Sequence, residues 1–492
     1  MRRHARSAAM FVLAWFTGVV ASAAGLRGPA ESGPLPNIII FFIDDMGYAD
    51  IGPFGVEEYS TPNLDRMARE GRVFTDFIVS SPVCSASRAA LMTGCFNRRV
   101  GIQGALFPNH THGLNPSETT LAEICRQRGY ATACYGKWHL GHHPKFLPPN
   151  HGFDEYLGIP YSNDMWPLNP KNQKLPEHRR FPPLPLIEGT EVVDPDLGPE
   201  DQQQFTRLFT QRAVSFIERH REQPFFIYLP HPMVHVPLYA SEAFEGRSGA
   251  GLYGDVVMEL DWSVGRILDT LERHGLDRET LVVFTSDNGP WLAYGDHAGS
   301  AGPLREGKLT AFEGGIREPT VCWWPGRIPA GTECDELAST IDLLPTVAAL
   351  IGAELPEHRI DGKDIAPLLF GTPGAESPHE AFPIYYRGHL HAIREDRWKV
   401  VFPHTYSLME GREAGRGGVP RAYAKGRAEL ALYDLDHDIG EATDVKDRYP
   451  EIFERLTRAA DRYRADLGDG RNRGPGIRNA ASLNEGDPRL TW

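Results

Sequence analysis

The run Asn37-Ile38-Ile39-Ile40-Phe41-Phe42-Ile43 is unbroken by any charge, the pattern of a strand covered on both faces. Three similar runs follow at residues 131–135, 225–229 and 281–285. Between them the period changes. Thr61-Pro62, followed by Leu64, Met67 and Ala68, predicts a helix that closes at Gly71. Residues 203–219 and 257–274 carry helical spacing ahead of the third and fourth runs. Strands alternating with helices predict an α/β domain with a mostly parallel sheet flanked by helices. The pattern shifts near residues 354–364. Short strands at 392–394, 398–401 and 430–434 precede an amphipathic helix at 452–467. We therefore expect a large domain over residues 36–365 and a smaller C-terminal α+β domain with an antiparallel sheet over 366–492. Residues 163–200 are proline-rich and aperiodic and read as an irregular insertion near the mouth of a site. The tail past Gly468 is rich in Gly, Arg and Asn and reads as loose.

Charge and the chain start narrow the function. A formal net charge of −14 argues against a nucleic-acid partner. An anionic substrate would have to be held by local cations. Arg2, Arg3 and Arg6, an apolar stretch at 10–20 and Ala21-Ser22-Ala23 have the layout of a signal peptide over residues 1–24. That stretch is too short to span a bilayer comfortably. The expected product is an exported protein, periplasmic or secreted, with no stable membrane insertion. The six cysteines, at 84, 95, 125, 134, 322 and 334, contain no CxxC pair, so a thiolate zinc site is not indicated. A Cys322–Cys334 bridge stays open.

Each apolar run is followed by polar residues, and ligands of parallel sheets gather outside the carboxyl ends of the strands. The first run ends in Asp44-Asp45 and the fourth in Ser286-Asp287-Asn288-Gly289. Either pair alone reads equally well as strand-end capping. Together they form an oxygen-only set suited to Ca²⁺ or Mg²⁺ and poor for zinc. The second run ends in Gly136-Lys137-Trp138-His139, with Lys and His on one side of an extended backbone. The third leads into Pro230-His231-Pro232-Met233-Val234-His235-Val236-Pro237, a proline-stiffened loop that suits a placed imidazole. Gly307-Lys308 and Glu313-Gly314-Gly315-Ile316-Arg317 lie downstream, and the latter reads as a turn with a structural ion pair. Cys84-Ser85-Ala86-Ser87-Arg88 sits between Ser80-Ser81-Pro82 and a helix-like run. A Cys ahead of a helix N-terminus should have a lowered pKa and attract anions. Arg88, one turn on, adds a bidentate grip. These residues predict an anion site with a nucleophile.

The motifs Asp-Asp, C-x-A-S-R, G-K-W-H-L-G, H-V-P-L, S-D-N-G, G-K and E-G-G-I-R-E-P, in this order, resemble the type I sulfatases of the alkaline phosphatase superfamily. His151-Gly152-Phe153-Asp154, the run from Leu157 to Ser162 and Met258-Glu259-Leu260-Asp261 resemble the arylsulfatase A-like members most. The resemblance implies an alkaline phosphatase-like fold and hydrolysis of a sulfate monoester. It implies that Cys84 is converted to Cα-formylglycine by a maturation enzyme. It implies one Ca²⁺ per chain, with Mg²⁺ as the alternative, held by Asp44, Asp45, Asp287 and Asn288. Cys84, Arg88, Lys137, His139, His235 and Lys308 become catalytic, and Ser162, Lys137, His235 and Lys308 bind substrate. In this scheme one hydroxyl of the hydrated aldehyde attacks sulfur, His235 with Lys308 protonates the leaving alcohol, and His139 takes the second hydroxyl's proton to release sulfate. A sulfated small molecule, a glycan or a sulfolipid would each serve as substrate. The insertion cysteines of vertebrate lysosomal members have no counterpart between 163 and 200, which opens substrate choice there. Two other readings remain: a phosphate mono- or diester hydrolase of the same superfamily, and a non-catalytic binder of sulfated ligands.

Overall fold

The computed structural model describes residues 34–490. Its main sheet has ten strands: β1 (Asn37–Ile43), β2 (Arg72–Phe74), β3 (Ala131–Lys137), β4 (Glu155–Ile159), β5 (Leu186–Glu188), β6 (Glu191–Asp194), β7 (Phe225–Leu229), β8 (Thr280–Ser286), β9 (Thr320–Trp323) and β10 (Thr332–Cys334). Their order is β10-β2-β9-β8-β1-β7-β3-β4-β5-β6. The four apolar runs form the parallel centre, β8-β1-β7-β3. β9 joins β8, and β5 joins β4, in the antiparallel sense, so the sheet is parallel inside and mixed at its flanks.

Strand β1 shows why its run is apolar throughout. Ile39, Phe41 and Ile43 enter one core cluster; Ile38, Ile40 and Phe42 enter another on the opposite face. Six helices matter here: α1 (Pro62–Glu70), α2 (Cys84–Thr93), α3 (Phe205–His220), α4 (Leu252–Arg273), α5 (Leu343–Ile351) and α6 (Pro450–Leu467). The first core is filled by Phe209 and Phe216 of α3 and Val257 and Leu260 of α4. The second takes Leu91 and Met92 of α2 and Leu344 and Val347 of α5. Each such buried side chain contributes about 1.5–3 kcal/mol. With both faces covered, only the strand ends remain for polar chemistry.

A second sheet of β11 (Phe382–Tyr386), β12 (His389–Glu395), β13 (Trp398–Val401) and β14 (Ala431–Asp434) is antiparallel throughout. Helix α6 packs on it through Leu456, Ala459 and Ala460. It belongs to the same compact unit as the main sheet, which begins at Leu35.

Two expectations change. The aperiodic insertion is not wholly irregular: β5 and β6 form a hairpin that extends the main sheet. The tail past Gly468 is anchored. Arg478 donates to buried Glu118 at 2.6 and 2.7 Å, and Ala481–Ser482 pairs with His112–Gly113. Composition cannot reveal a buried carboxylate far away in sequence that recruits a tail arginine. All six cysteines are free and buried. Cys322 and Cys334 lie on strands separated by β2, and the bridge the sequence leaves open between them is not formed. Among the described residues no helix is long and apolar enough to cross a membrane. The predicted signal peptide lies outside the described residues.

Candidate active site

Parallel register assembles the site. Asn37 pairs with Thr280 and Ile43 with Ser286, so Asp44-Asp45 and Asp287-Asn288 leave neighbouring strands at the same level. The Asp45 amide donates to Asp287 Oδ1 at 3.2 Å, and Asn288 Nδ2 donates to Asp45 Oδ1 at 2.7 Å. Asp45 turns into the left-handed region, φ 63. From β3, the Lys137 ammonium pairs with Asp44 and donates to Ser162 Oγ at 3.1 Å. Ser162 Oγ lies 3.2 Å from His235 Nε2, which is 3.6 Å from Asp45 Oδ2. Lys308 Nζ sits 2.5 Å from Asp45 Oδ1. All of these side chains are buried.

The arrangement is unfinished on one side. Asp44 Oδ1, Asp45 Oδ2 and Asn288 Oδ1 are buried with no hydrogen-bond partner. Ligand atoms of Asp44, Asp45 and His235 fall within 4.8 Å of one another. Hard oxygens orphaned in a dry pocket fit a divalent cation of the Ca²⁺ or Mg²⁺ kind. Asp287 is differently placed. Its Oδ2 accepts from Arg88 Nε at 2.9 Å, with Nη2 at 2.7 Å, and its Oδ1 takes the Asp45 amide.

Electrostatics agree with that incompleteness. Burial pushes the Asp45 carboxyl up to about 6, against the opposing pull of Lys308. Burial, then the Asp44 charge, pushes Asp287 up to about 7. Burial would raise Asp44 too, but Lys137, His235, Arg88 and Lys308 outweigh it and hold it below the usual carboxylate range. Burial outweighs Lys308 at Asp45 and Arg88 at Asp287, and a metal ion would add positive charge there.

Cys84 is the first residue of α2, after extended Val83. It packs with Val83, Ala86 and Tyr386. Its predicted low pKa is corrected: burial pushes the thiol up, and Lys137 and Lys308 do not compensate. The sequence shows a helix start and nearby cations but not the exclusion of water. Arg88, expected to grip a substrate anion, instead engages Asp287 with Nε and the Lys137 carbonyl with Nη1 at 2.9 Å. Its Nη2 makes ion pairs only, to Asp287 Oδ2 at 2.7 Å and Asp44 Oδ1 at 3.5 Å.

The two imidazoles have definable tautomers, because a carbonyl can only accept. His139 donates from Nε2 to Leu106 O at 2.8 Å, so Nδ1 carries the lone pair, and it has no partner. Burial, then Lys137 and Arg88, holds this ring well below the usual histidine pKa. Its backbone is left-handed, φ 60, not the extended form expected. His235 donates from Nδ1 to Val236 O at 2.6 Å, which turns its Nε2 lone pair toward Ser162 and Asp45. Burial, then Lys308, lowers its pKa far as well. The carboxylates overcome burial at Lys308 and raise its ammonium pKa.

Three neighbours escaped the sequence reading. Trp291 lies under Lys308, 4.5 Å from Nζ to the ring centre, and 5.3 Å from the His235 ring. Asp164 has an unpartnered Oδ1 and a pKa raised by burial against Lys308 and Lys137. Tyr386 belongs to the apolar cluster around Cys84. Only closeness in sequence to Ser286-Asp287-Asn288-Gly289 and to Ser162 could have flagged the first two. Nothing local could have flagged Tyr386. The Glu313–Arg317 ion pair forms as expected, at 2.7 Å.

Known proteins share this arrangement of sequence. The sulfatase family profile matches residues 36–353, and the profile for the C-terminal region of aryl-sulfatase matches 377–478. Arylsulfatase A of Bos taurus is 41% identical over 463 residues, covering 89% of this chain and 88% of its own. N-acetylgalactosamine-6-sulfatase of Canis lupus familiaris is 36% identical over 488 residues, covering 92% and 90%. A solved sulfatase from Pseudoalteromonas sp. superposes with a TM-score of 0.80 at 27% identity, over 90% of this chain and 92% of that one.

Proposed function

The chain belongs to the sulfatase family and is a sulfuric ester hydrolase, and we propose that it cleaves sulfate monoesters at position 84 beside a bound calcium ion. One observation carries this reading: Asp44 Oδ1, Asp45 Oδ2 and Asn288 Oδ1 are unpartnered in the buried pocket that also holds Cys84, Lys137 and Lys308. A cation and an oxyanion together complete that pocket. Asp44, Asp45, Asp287 and Asn288 would hold the ion, Asp287 doing so once Arg88 shifts its grip. The ion supplies positive charge beside the sulfate oxygens. Cys84, oxidised to formylglycine by a maturation enzyme, supplies as its hydrate one hydroxyl for attack and a second whose deprotonation expels sulfate.

The remaining residues bind and move protons. Lys137, Lys308 and Ser162 hold sulfate oxygens, where fixed donors in a dry site are most effective. His139 Nδ1 is the free base that takes the second hydroxyl's proton. At rest His235 Nε2 is a lone pair, so it acts as acid only after gaining a proton, and Lys308 is the standing cation beside it. The two share protonation of the leaving alcohol. Residues 1–24 act as a signal peptide for export, residues 36–365 form the catalytic domain, and 366–492 close it.

The names of the relatives span aryl sulfates and a sulfated amino sugar, and we place the substrate among sulfated small molecules, glycans or sulfolipids. The test compares kcat/KM on matched aryl sulfate and aryl phosphate, in wild type and Cys84→Ala. We expect sulfate to be preferred and Cys84→Ala to fall to background with an unchanged melting temperature. Preference for phosphate, or appreciable turnover by Cys84→Ala, would sink the reading.

A further inference from the structure

A cavity of about 620 Å³ opens along the second sheet. Leu309 and Tyr386 belong both to its wall and to the apolar cluster around Cys84. Through these two residues the cavity adjoins the Cys84 cluster, and its volume admits a sugar unit.

Its rim carries a residue in an unfavourable place. Tyr386 pairs with His389, so the β11–β12 hairpin turns on two residues, Arg387 and Gly388, with φ 48 and 82. Positive φ at both positions is the I′ pattern, which prefers Asn-Gly. An arginine there costs about 1–2 kcal/mol relative to the right-handed region. Strain of this kind gathers at functional sites. The turn is also held in place: the Arg387 amide donates to Gln103 O at 3.2 Å, and Gly388 is closed in by Gln103 and Arg98.

Arg387 has charge to spare. Its guanidinium lies 5.2 Å from the Tyr386 ring centre, is exposed, and pairs with no carboxylate among the described residues. Arg464, in the same wall, is neutralised by Asp469 at 3.1 Å. Deeper in, His391 is 7% exposed with an unpartnered Nδ1, and His404 has an unpartnered Nε2. Their rings stack at 3.8 Å. The wall thus offers one uncompensated cation and two unsatisfied imidazole nitrogens, a set suited to an anion and hydroxyls on one ligand.

We propose that this cavity is the leaving-group subsite and that Arg387 sets its specificity by binding a second oxyanion, a carboxylate or another sulfate, on a sugar. The substrate class is then a sulfated glycan bearing a further anion, not a neutral aryl sulfate or sulfolipid. This rests on the sulfatase reading above.

The test measures kcat/KM on 4-nitrophenyl sulfate, a monosulfated neutral disaccharide, and that disaccharide carrying either a uronate or a second sulfate. Wild type should favour the charged disaccharides over the neutral one by about tenfold or more, and salt should erode the preference. The uronate and second-sulfate arms identify which oxyanion is read. Arg387→Asn, which suits the left-handed turn, should melt no lower than wild type yet lose that preference through KM. Arg387→Lys should keep part of it. No preference in wild type, or an equal loss on every substrate in Arg387→Asn, overturns the proposal. Failure of wild type on 4-nitrophenyl sulfate as well would instead remove the sulfatase reading, and this one with it.

Discussion

Two buried charge clusters lie in this molecule, with the same inventory and opposite character. Around Glu313 three carboxylates, Glu313, Asp76 and Glu441, face Arg317, Arg394 and Lys399. At the strand ends three carboxylates, Asp44, Asp45 and Asp287, face Arg88, Lys137 and Lys308. In the first, every carboxylate oxygen meets a cation or an N–H. Burial would raise Glu313, but Arg394, Lys399 and Arg317 hold it below the usual carboxylate range. In the second, Asp44 Oδ1 and Asp45 Oδ2 have no hydrogen bond and reach only Arg88 Nη2 at 3.5 Å and His235 Nε2 at 3.6 Å, and two carboxyls rise to about 6 and about 7. Charge count does not separate a structural network from a site; close pairing of every carboxylate oxygen does, at 2.9 Å or less from a cation or N–H around Glu313 and at 3.5 Å or more for two oxygens at the strand ends.

The largest expected difference is functional. Asp45→Asn should lower kcat by about 10²–10³-fold, the scale of losing one charge-stabilising group, with no fall in melting temperature. Glu313→Gln should do the reverse. It removes a carboxylate shared by three buried cations, which leaves Asp76 and Glu441 as their counter-charges, and should cost about 3–5 kcal/mol, while kcat per folded molecule stays within about twofold; denaturant titration and active-site-normalised rates check both. If both substitutions affected stability alike, the distinction would fail.

Chelation comes next. Removing divalent metal should abolish turnover reversibly and lower the melting temperature, whereas saturating Ca²⁺ at about 100 times Kd should restore about 2.7 kcal/mol. The smallest effect is a pH slope. In metal-stripped protein, Asp45 and Asp287 bind protons in the folded state at higher pH than in the unfolded chain, where an aspartate titrates at 3.8. Stability should therefore rise as pH falls through 7 toward 4. Glu313 works the other way: its contribution is complete above its unfolded value, 4.5, and is lost as pH drops below it. Bound Ca²⁺ should erase the first trend and leave the second, read as melting temperature against pH with and without chelator.

Much of this was readable along the chain because parallel strands put chemistry at their ends. Asn37–Ile43 announced a doubly covered strand, and Asp44-Asp45 followed where a ligand site belongs. Its β8 partner was equally plain. What stayed hidden depended on distance in sequence. Tyr386 joins the Cys84 cluster from another sheet, so no local pattern links them. The raised Cys84 pKa comes from burial, which a helix-start motif does not encode. Arg88 looked free for substrate because its partner, Asp287, lies far along the chain. Arg478 looked like part of a loose tail for the same reason, since Glu118 anchors it.

Most direct is the mass of the peptide carrying position 84, taken from protein whose turnover of aryl sulfate has been measured in the same preparation. Loss of sulfur and gain of an aldehyde, in proportion to activity across preparations, is the predicted result. Full sulfate hydrolysis by protein that retains an intact Cys84 thiol would contradict it.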